Sequence, residues 1–185
     1  KQIGNIPLTN SGVILMQKVF MRKNNDCMTA CLATLFGLDY EQVPRFFNDN
    51  DEVVGVFHDR VNEFLKDYGL AYLSITCSTD FLSTYQGYLL VSGESYTPHY
   101  KNKGVDHCVI YKDGKLWHDP KPNPIGIIEP SSIDLFYITN PILYIDSTKK
   151  LRLLSRVQTL LDSWSRRSPT HIDIVERDKL VMELR

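Results

Sequence analysis

The polar run Lys23-Asn24-Asn25-Asp26 stops at Cys27, and the ten residues from Cys27 to Phe36 carry no charged side chain. A segment like this makes sense only as a helix packed against the rest of the chain. Ala30, Cys31, Ala33 and Thr34 keep one side small, while Leu32, Leu35 and Phe36 supply apolar bulk. Asn25 or Asp26 can cap the start, because a side-chain oxygen there accepts from the unpaired amides one turn in. Gly37 is a natural stop. A cysteine buried mid-helix is usually packing. One at the helix start faces the positive end of the dipole, where a thiol can become a thiolate.

Beyond this helix, "LDYEQVPRFF" predicts a short helical turn ending near Pro44, and "NDNDEVVG" a polar loop. Phe57, Val61, Phe64, Leu65 and Tyr68 mark a second helical face, closed by Gly69. The period then changes. "LAYLSIT" and "GYLLVSG" are short strands, and "HCVIYKDGKLWHD" is a hairpin with Asp-Gly at its turn. "LFYIT" and "ILYID" are strand candidates around Pro141. Upstream, "VILMQKVFM" is a strand or a segment packed on the body. "KKLRLLSRVQTLLDSWSRR" is a late amphipathic helix, and the last residues alternate like a strand. Helices followed by antiparallel strands define an α+β fold. Residues 1–148 form its main domain, and 149–185 are a C-terminal extension.

An apolar share of 43% is ample for a core, and 21 basic against 22 acidic residues argue against nucleic acid or an acidic membrane as partner. No apolar run approaches the ~20 residues of a membrane span, and no signal peptide stands at the start. The chain begins at Lys1, leaving trimming, processing and a fragment all open. Cys27, Cys31, Cys77 and Cys108 do not have the spacing of a secreted disulfide framework, so free thiols in a reducing, cytoplasmic setting are expected. Cys27 and Cys31 form half of a zinc site at most. No second Cys/His pair completes it, and no metal or organic cofactor is expected.

Three residues stand in an order that suits nucleophilic catalysis: Cys27 at a helix start, His107 opening a hairpin strand, and Asp119 ending the next. If Asp113-Gly114 is the turn, Lys112 faces Lys115 and His107 falls opposite Pro120, next to Asp119. A thiol needs a proton acceptor, and the acceptor ring needs a group that fixes its orientation. Asp119 has a rival task in capping the turn of "DPKPNP", and both are compatible. Other positions have blander readings. Cys108 faces the core and is inert. Cys31 is packed, with capture of an oxidised Cys27 as a second option. Trp117 packs on the sheet. His118 is a surface or structural residue, His58 and His171 are solvated, and His99 lies in a loop able to border a cleft.

"NDCMTACLATLFGLDYEQVP" followed by "DHCVIYKDGKLWHDPKP" resembles the papain-like cysteine peptidase superfamily, nearest to the peptidase C39-like domains of phage and bacterial proteins. The resemblance covers roughly residues 17–145. It implies a papain-like fold in which Asp26-Cys27 begins the central helix, His107 starts a strand and Asp119-Pro120 follows the next. It also implies a cysteine peptidase or amidohydrolase acting on a peptide or protein substrate, in a host cytoplasm or a virion. That family usually carries a glutamine shortly before the cysteine to hold the oxyanion. Met21 stands six residues before Cys27, so Gln17, Asn24 and Asn25 are the candidate donors, together with the Cys27 amide. Two other readings stay open: a binding or structural module with a degenerate site, and a deamidase or acyl transferase using the same three residues. The C-terminal extension is a further candidate surface for a protein partner.

Overall fold

A helix without charges has to be surrounded. In the computed structural model, which describes residues 16–47, 54–97, 105–149 and Lys179, α1 (Cys27–Phe36) is buried from Met28 to Phe36. Cys27 alone in this helix keeps partial exposure. Gly37 ends the helix in the left-handed region (φ 65°), and the Leu38 amide turns back to the Ala33 carbonyl at 2.9 Å. The buried threonines tie α1 to its neighbours. Thr29 donates to the Pro44 carbonyl (2.8 Å), and Thr34 Oγ1 accepts from the Val19 amide (2.9 Å). That second bond belongs to a docked segment. Residues 16–20 form no strand, and 13–15 lie outside the described residues.

A single 3-10 turn, Tyr40–Gln42, follows where the short turn was expected. Then comes α2 (Val54–Lys66), which starts three residues earlier than the apolar face beginning at Phe57 suggested. The strands β1 (Leu70–Thr76), β2 (Tyr88–Ser95), β3 (Asp106–Lys112), β4 (Lys115–His118) and β5 (Ile127–Ile138) form one sheet in the order β1-β5-β2-β3-β4. Every pairing is antiparallel, so the architecture is α+β, as expected. Side chains alternate between two cores. Tyr72, Leu90, Cys108, Ile110 and Phe136 join α1 and α2 on one side. Leu89, Val91, Val109 and Ile133 pack with Leu82 of α3 (Thr79–Thr84) on the other.

Three local readings are corrected. α3 is too short to show a helical period; its sequence signal is Ser78, whose hydroxyl accepts from the Phe81 amide (3.4 Å). "ILYID" is not a strand but part of a helix, α4 (141–149). Asn140 caps it, accepting from the Leu143 amide at 3.1 Å, and Pro141 takes the first helical position, where no amide proton is needed. Apolar content alone cannot separate a short helix from a strand. "LFYIT" is only the end of β5, which runs upstream through Pro130. Proline is tolerated there because Pro130 sits at an irregular stretch of the β2 pairing, beyond the last β1 partner. The expected late helix, the alternating tail, His99 and His171 all lie outside the described residues.

Two features hold the sheet under the site. At Gly93, which pairs with His107, a Cβ would collide with the Glu129 carbonyl oxygen, so β2 and β5 approach there only without a side chain. Asp134 of β5 is buried between Ser74 and Leu90, and its Oδ2 has no hydrogen-bond partner. Burial pushes its carboxyl up to about 6, against a smaller opposing effect of the Ser74 hydroxyl. A carboxyl raised on folding stabilises the fold fully below its unfolded value and loses that contribution as pH rises through the folded one. Stability should therefore fall by about 2 kcal/mol between pH 4 and 7 from this group. In Asp134→Asn that slope should vanish, as read by urea unfolding across the range.

Candidate active site

The β3–β4 hairpin turns at Asp113 and Gly114, both with positive φ (50° and 75°), and Lys112 faces Lys115 as the turn signal predicted. The register then slips. Tyr111 pairs with Leu116 but Ile110 pairs with His118, leaving Trp117 as an extra residue. This bulge decides where the functional groups point. In a regular ribbon Asp119 would fall opposite Cys108 and share its side. The extra residue carries it on toward Val109, which lies on the same side of β3 as His107. His118 is turned inward by the same shift. It is buried, and its Nε2 donates to the Val19 carbonyl (2.8 Å) with the Phe20 ring edge-on at 5.2 Å. Burial lowers its pKa, which suits a neutral structural ring rather than a surface one. Trp117 packs on the sheet, edge-on to Tyr88 at 5.0 Å. His58 is not simply solvated: it is half-buried, stacked on Tyr72 and hydrogen-bonded to its hydroxyl.

Asp119 is buried and its carboxylate is fully engaged. Oδ1 accepts from His107 Nε2 (2.7 Å) and from the Lys121 amide (2.9 Å). Oδ2 accepts from the amides of Ile125 (3.0 Å) and Gly126 (2.8 Å). It thus does both of the tasks foreseen for it, bonding the imidazole and closing the turn. Burial raises its pKa, but the His107 ring and the amides outweigh that and bring it down to about 2.

His107 is buried too. Burial favours its neutral form, yet its hydrogen bonds with Asp119 and Cys27, and the charge of Cys27, leave its pKa raised. Cys27 is thus one of the groups that act on the ring. With Nε2 occupied by Asp119, the nitrogen left for sulfur is Nδ1. The other thiols differ. Cys31 is buried and donates to the Cys108 carbonyl (3.5 Å), with its pKa pushed up by burial. Cys108 is pushed well up and Cys77 up, each by burial.

The residue before the cysteine is anchored rather than capping. Asp26 makes no side-chain bond to the start of α1. Its buried carboxylate instead receives Arg45 Nε (2.5 Å) and the Tyr40 hydroxyl, while the Arg45 guanidinium also donates to the Asn24 carbonyl (3.2 Å). Burial and the Asp26 carboxylate push Tyr40 up to about 12. The chain from Asn24 to Cys27 is held by this cluster, with Asn25 in the left-handed region (φ 66°). Of the candidate oxyanion donors, Asn24 is exposed and Asn25 half-buried at this bend. Gln17 is exposed and lines a groove of about 320 Å³ with Met21, Arg22, Leu38, Asp39 and Tyr40, whose walls do not include Cys27. The structure thus bonds His107 to Asp119, lets Cys27 act on the same ring, puts Asn24 and Asn25 next to Cys27 in the chain, and sets Gln17 on a groove that Cys27 does not line. Sequence reasoning missed Tyr40, Arg45 and Lys121. Arg45 was visible only as one cation in a polar turn, because its acidic partner is 19 residues away.

The molecule is thus an α+β protein with an antiparallel five-stranded sheet, in which His107 of β3 is bonded to Asp119 and acted on by Cys27 at the start of α1. No family model, curated protein or solved structure matches the chain. Among the described residues, no helix is long and apolar enough to cross a membrane.

A carboxylate whose pKa is depressed on folding stabilises the fold above its unfolded value, and that contribution is lost as pH falls through the folded one. Asp119→Ala should therefore destabilise the protein by about 3 kcal/mol at pH 7, since it leaves His107 and three amides without their acceptor. In urea titrations the gap to the parent should narrow steadily from pH 4 to pH 2.

Proposed function

We propose that this protein is a papain-like thiol hydrolase that cleaves an amide bond, most simply in a peptide, through Cys27, His107 and Asp119. The observation that carries the reading is the His107 ring, bonded to the Asp119 carboxylate through one nitrogen and acted on by the one partly exposed thiol of α1. In the reaction, the Cys27 thiol passes its proton to His107 Nδ1 and the sulfur attacks the substrate carbonyl carbon. The Cys27 amide and an Asn24 or Asn25 side chain steady the oxyanion. The imidazolium then protonates the departing amine, and the C–N bond breaks to leave an acyl-thioester. Water, activated by neutral His107, releases the acid and restores the thiol. Asp119, held ionised by its four donors, keeps the ring in one tautomer and offsets the positive charge that forms on it.

One observation favours a different reading, a binding or structural module. Gln17, the only glutamine shortly ahead of the cysteine, lines a groove whose walls do not include Cys27. Deamidation and acyl transfer use the same first half-reaction and differ in what enters or leaves.

Thiol labelling separates the classes. At pH 6, iodoacetamide should modify Cys27 about ten-fold faster than Cys77, because a neighbouring imidazole takes up the thiol proton. His107→Ala should abolish that advantage. New peptide termini should appear in bacterial lysates treated with the parent protein and be missing with Cys27→Ala. Equal labelling of Cys27 and Cys77 at all pH values, with no new termini, would leave the binding module as the better account.

A further inference from the structure

Lys121 has no role in the reaction just described, yet it is built into the site. Its amide donates to Asp119 Oδ1, the same oxygen that accepts from His107 Nε2. Its half-buried ammonium donates to Ser95 Oγ (3.1 Å) and Thr97 Oγ1 (3.2 Å). Ser95 is buried and lies two residues along β2 from Gly93, the partner of His107, so it falls on the same side of the sheet about 7 Å further on.

Both partners of the ammonium are neutral hydroxyls. Among the described residues no carboxylate is hydrogen-bonded to it, and two acids of the neighbouring strand ends are engaged elsewhere. Asp119 is occupied by His107 and three amides, and Asp106 accepts from Ser131 Oγ (2.6 Å). The sequence does not offer an acid just beyond Thr97 either: residues 98–104 contain no Asp or Glu, but do contain His99, Lys101 and Lys103. A partly desolvated cation held by dipoles alone is costly unless an anion completes it. Two hydroxyls fix its direction and leave one N–H of the ammonium for a visitor.

We propose that Lys121 is a specificity-determining residue whose ammonium receives a carboxylate of the substrate, so that the amide bond cleaved lies close to an acidic side chain or a free α-carboxylate. The inference rests on the thiol-hydrolase reading and adds to it the class of substrate. It needs no change in the chemistry, only that the substrate's negative charge be seated beside the reacting pair.

Peptidyl vinyl sulfones test it, with formation of the Cys27 adduct followed by intact mass on the full chain. One set carries Glu or Gln at each of the three residues preceding the electrophile. A second set carries a carboxylate or its primary amide on the far side of the sulfone, which distinguishes a side-chain acid from a terminal one. In at least one position the anionic probe should react about ten-fold faster than its amide counterpart, the scale of a charge pair sheltered from solvent. Lys121→Met should bring that ratio to about one, Lys121→Arg should keep it, and Lys121→Glu should favour a Lys-bearing probe. Adduct formation that depends on His107 but treats acid and amide alike at every position overturns the role of Lys121 and leaves the hydrolase reading standing. Survival of the preference in Lys121→Met overturns that role in the same way. No His107-dependent adduct with any probe overturns both.

Discussion

The site is organised by one buried carboxylate. Asp119 has no route to water, so each of its lone pairs must find a donor inside the protein, and it finds four: an imidazole and three backbone amides. The amides come from the loop that leads out of β4, and the imidazole from β3. The same atoms that make an ionised carboxylate tolerable in the interior therefore tie the "DPKPNPIG" loop to the first residues of β3. Loop geometry and ring orientation are one structural fact. A turn-capping aspartate and a ring-orienting aspartate are usually offered as rival explanations, and here neither task can be removed without the other.

A second buried carboxylate does the corresponding work on the cysteine side. Asp26 could have capped α1, but Arg45 and Tyr40 draw its side chain outward to the segment after the helix. The first amides of α1 are then not taken up by the residue best placed to take them. That leaves the helix start polarised at the cysteine. The α1 helix itself cannot shift to compensate, because it is enclosed from Met28 onward and bonded through Thr29 and Thr34 to both flanking segments. Cys27 is fixed by the packing of nine residues that have no part in the chemistry.

Much of this was legible in the sequence, for reasons that can be given residue by residue. The uncharged run from Cys27 to Phe36, the stop at Gly37 and the Asp113-Gly114 turn are local signals, and each has a local cause. The approach of His107 to Asp119 was readable to within a residue or two, because a two-residue turn sets the register of the first pairs beyond it. What escaped was non-local. The bulge at Trp117 has no sequence mark, yet it decides which side of the ribbon Asp119 and His118 occupy. Pro130 concealed the long β5, because a proline in a central strand is allowed only where a neighbouring strand has ended. The run after Asn140-Pro141 was read by its apolar content as a strand, although asparagine followed by proline is also a helix-start signal. Arg45 and Tyr40 became partners of Asp26 only through the fold.

Charge placement around His107 links these pieces to the chemistry. The ring has a fixed anion on one side in Asp119, a thiol on another, and the Lys121 ammonium at longer range with the opposite influence. Asp119 and the sulfur favour imidazolium, while burial and Lys121 oppose it, and the first pair prevails. In the proposed reaction such a ring would hold the proton that it accepts from sulfur, yet would not be so stabilised by its surroundings that it could not give that proton up. An incoming carboxylate at Lys121 would cancel the opposing charge at the moment of binding and tilt the ring further toward imidazolium. Substrate charge and proton transfer would then be coupled through a single lysine, whose backbone is already fastened to the carboxylate that holds the base.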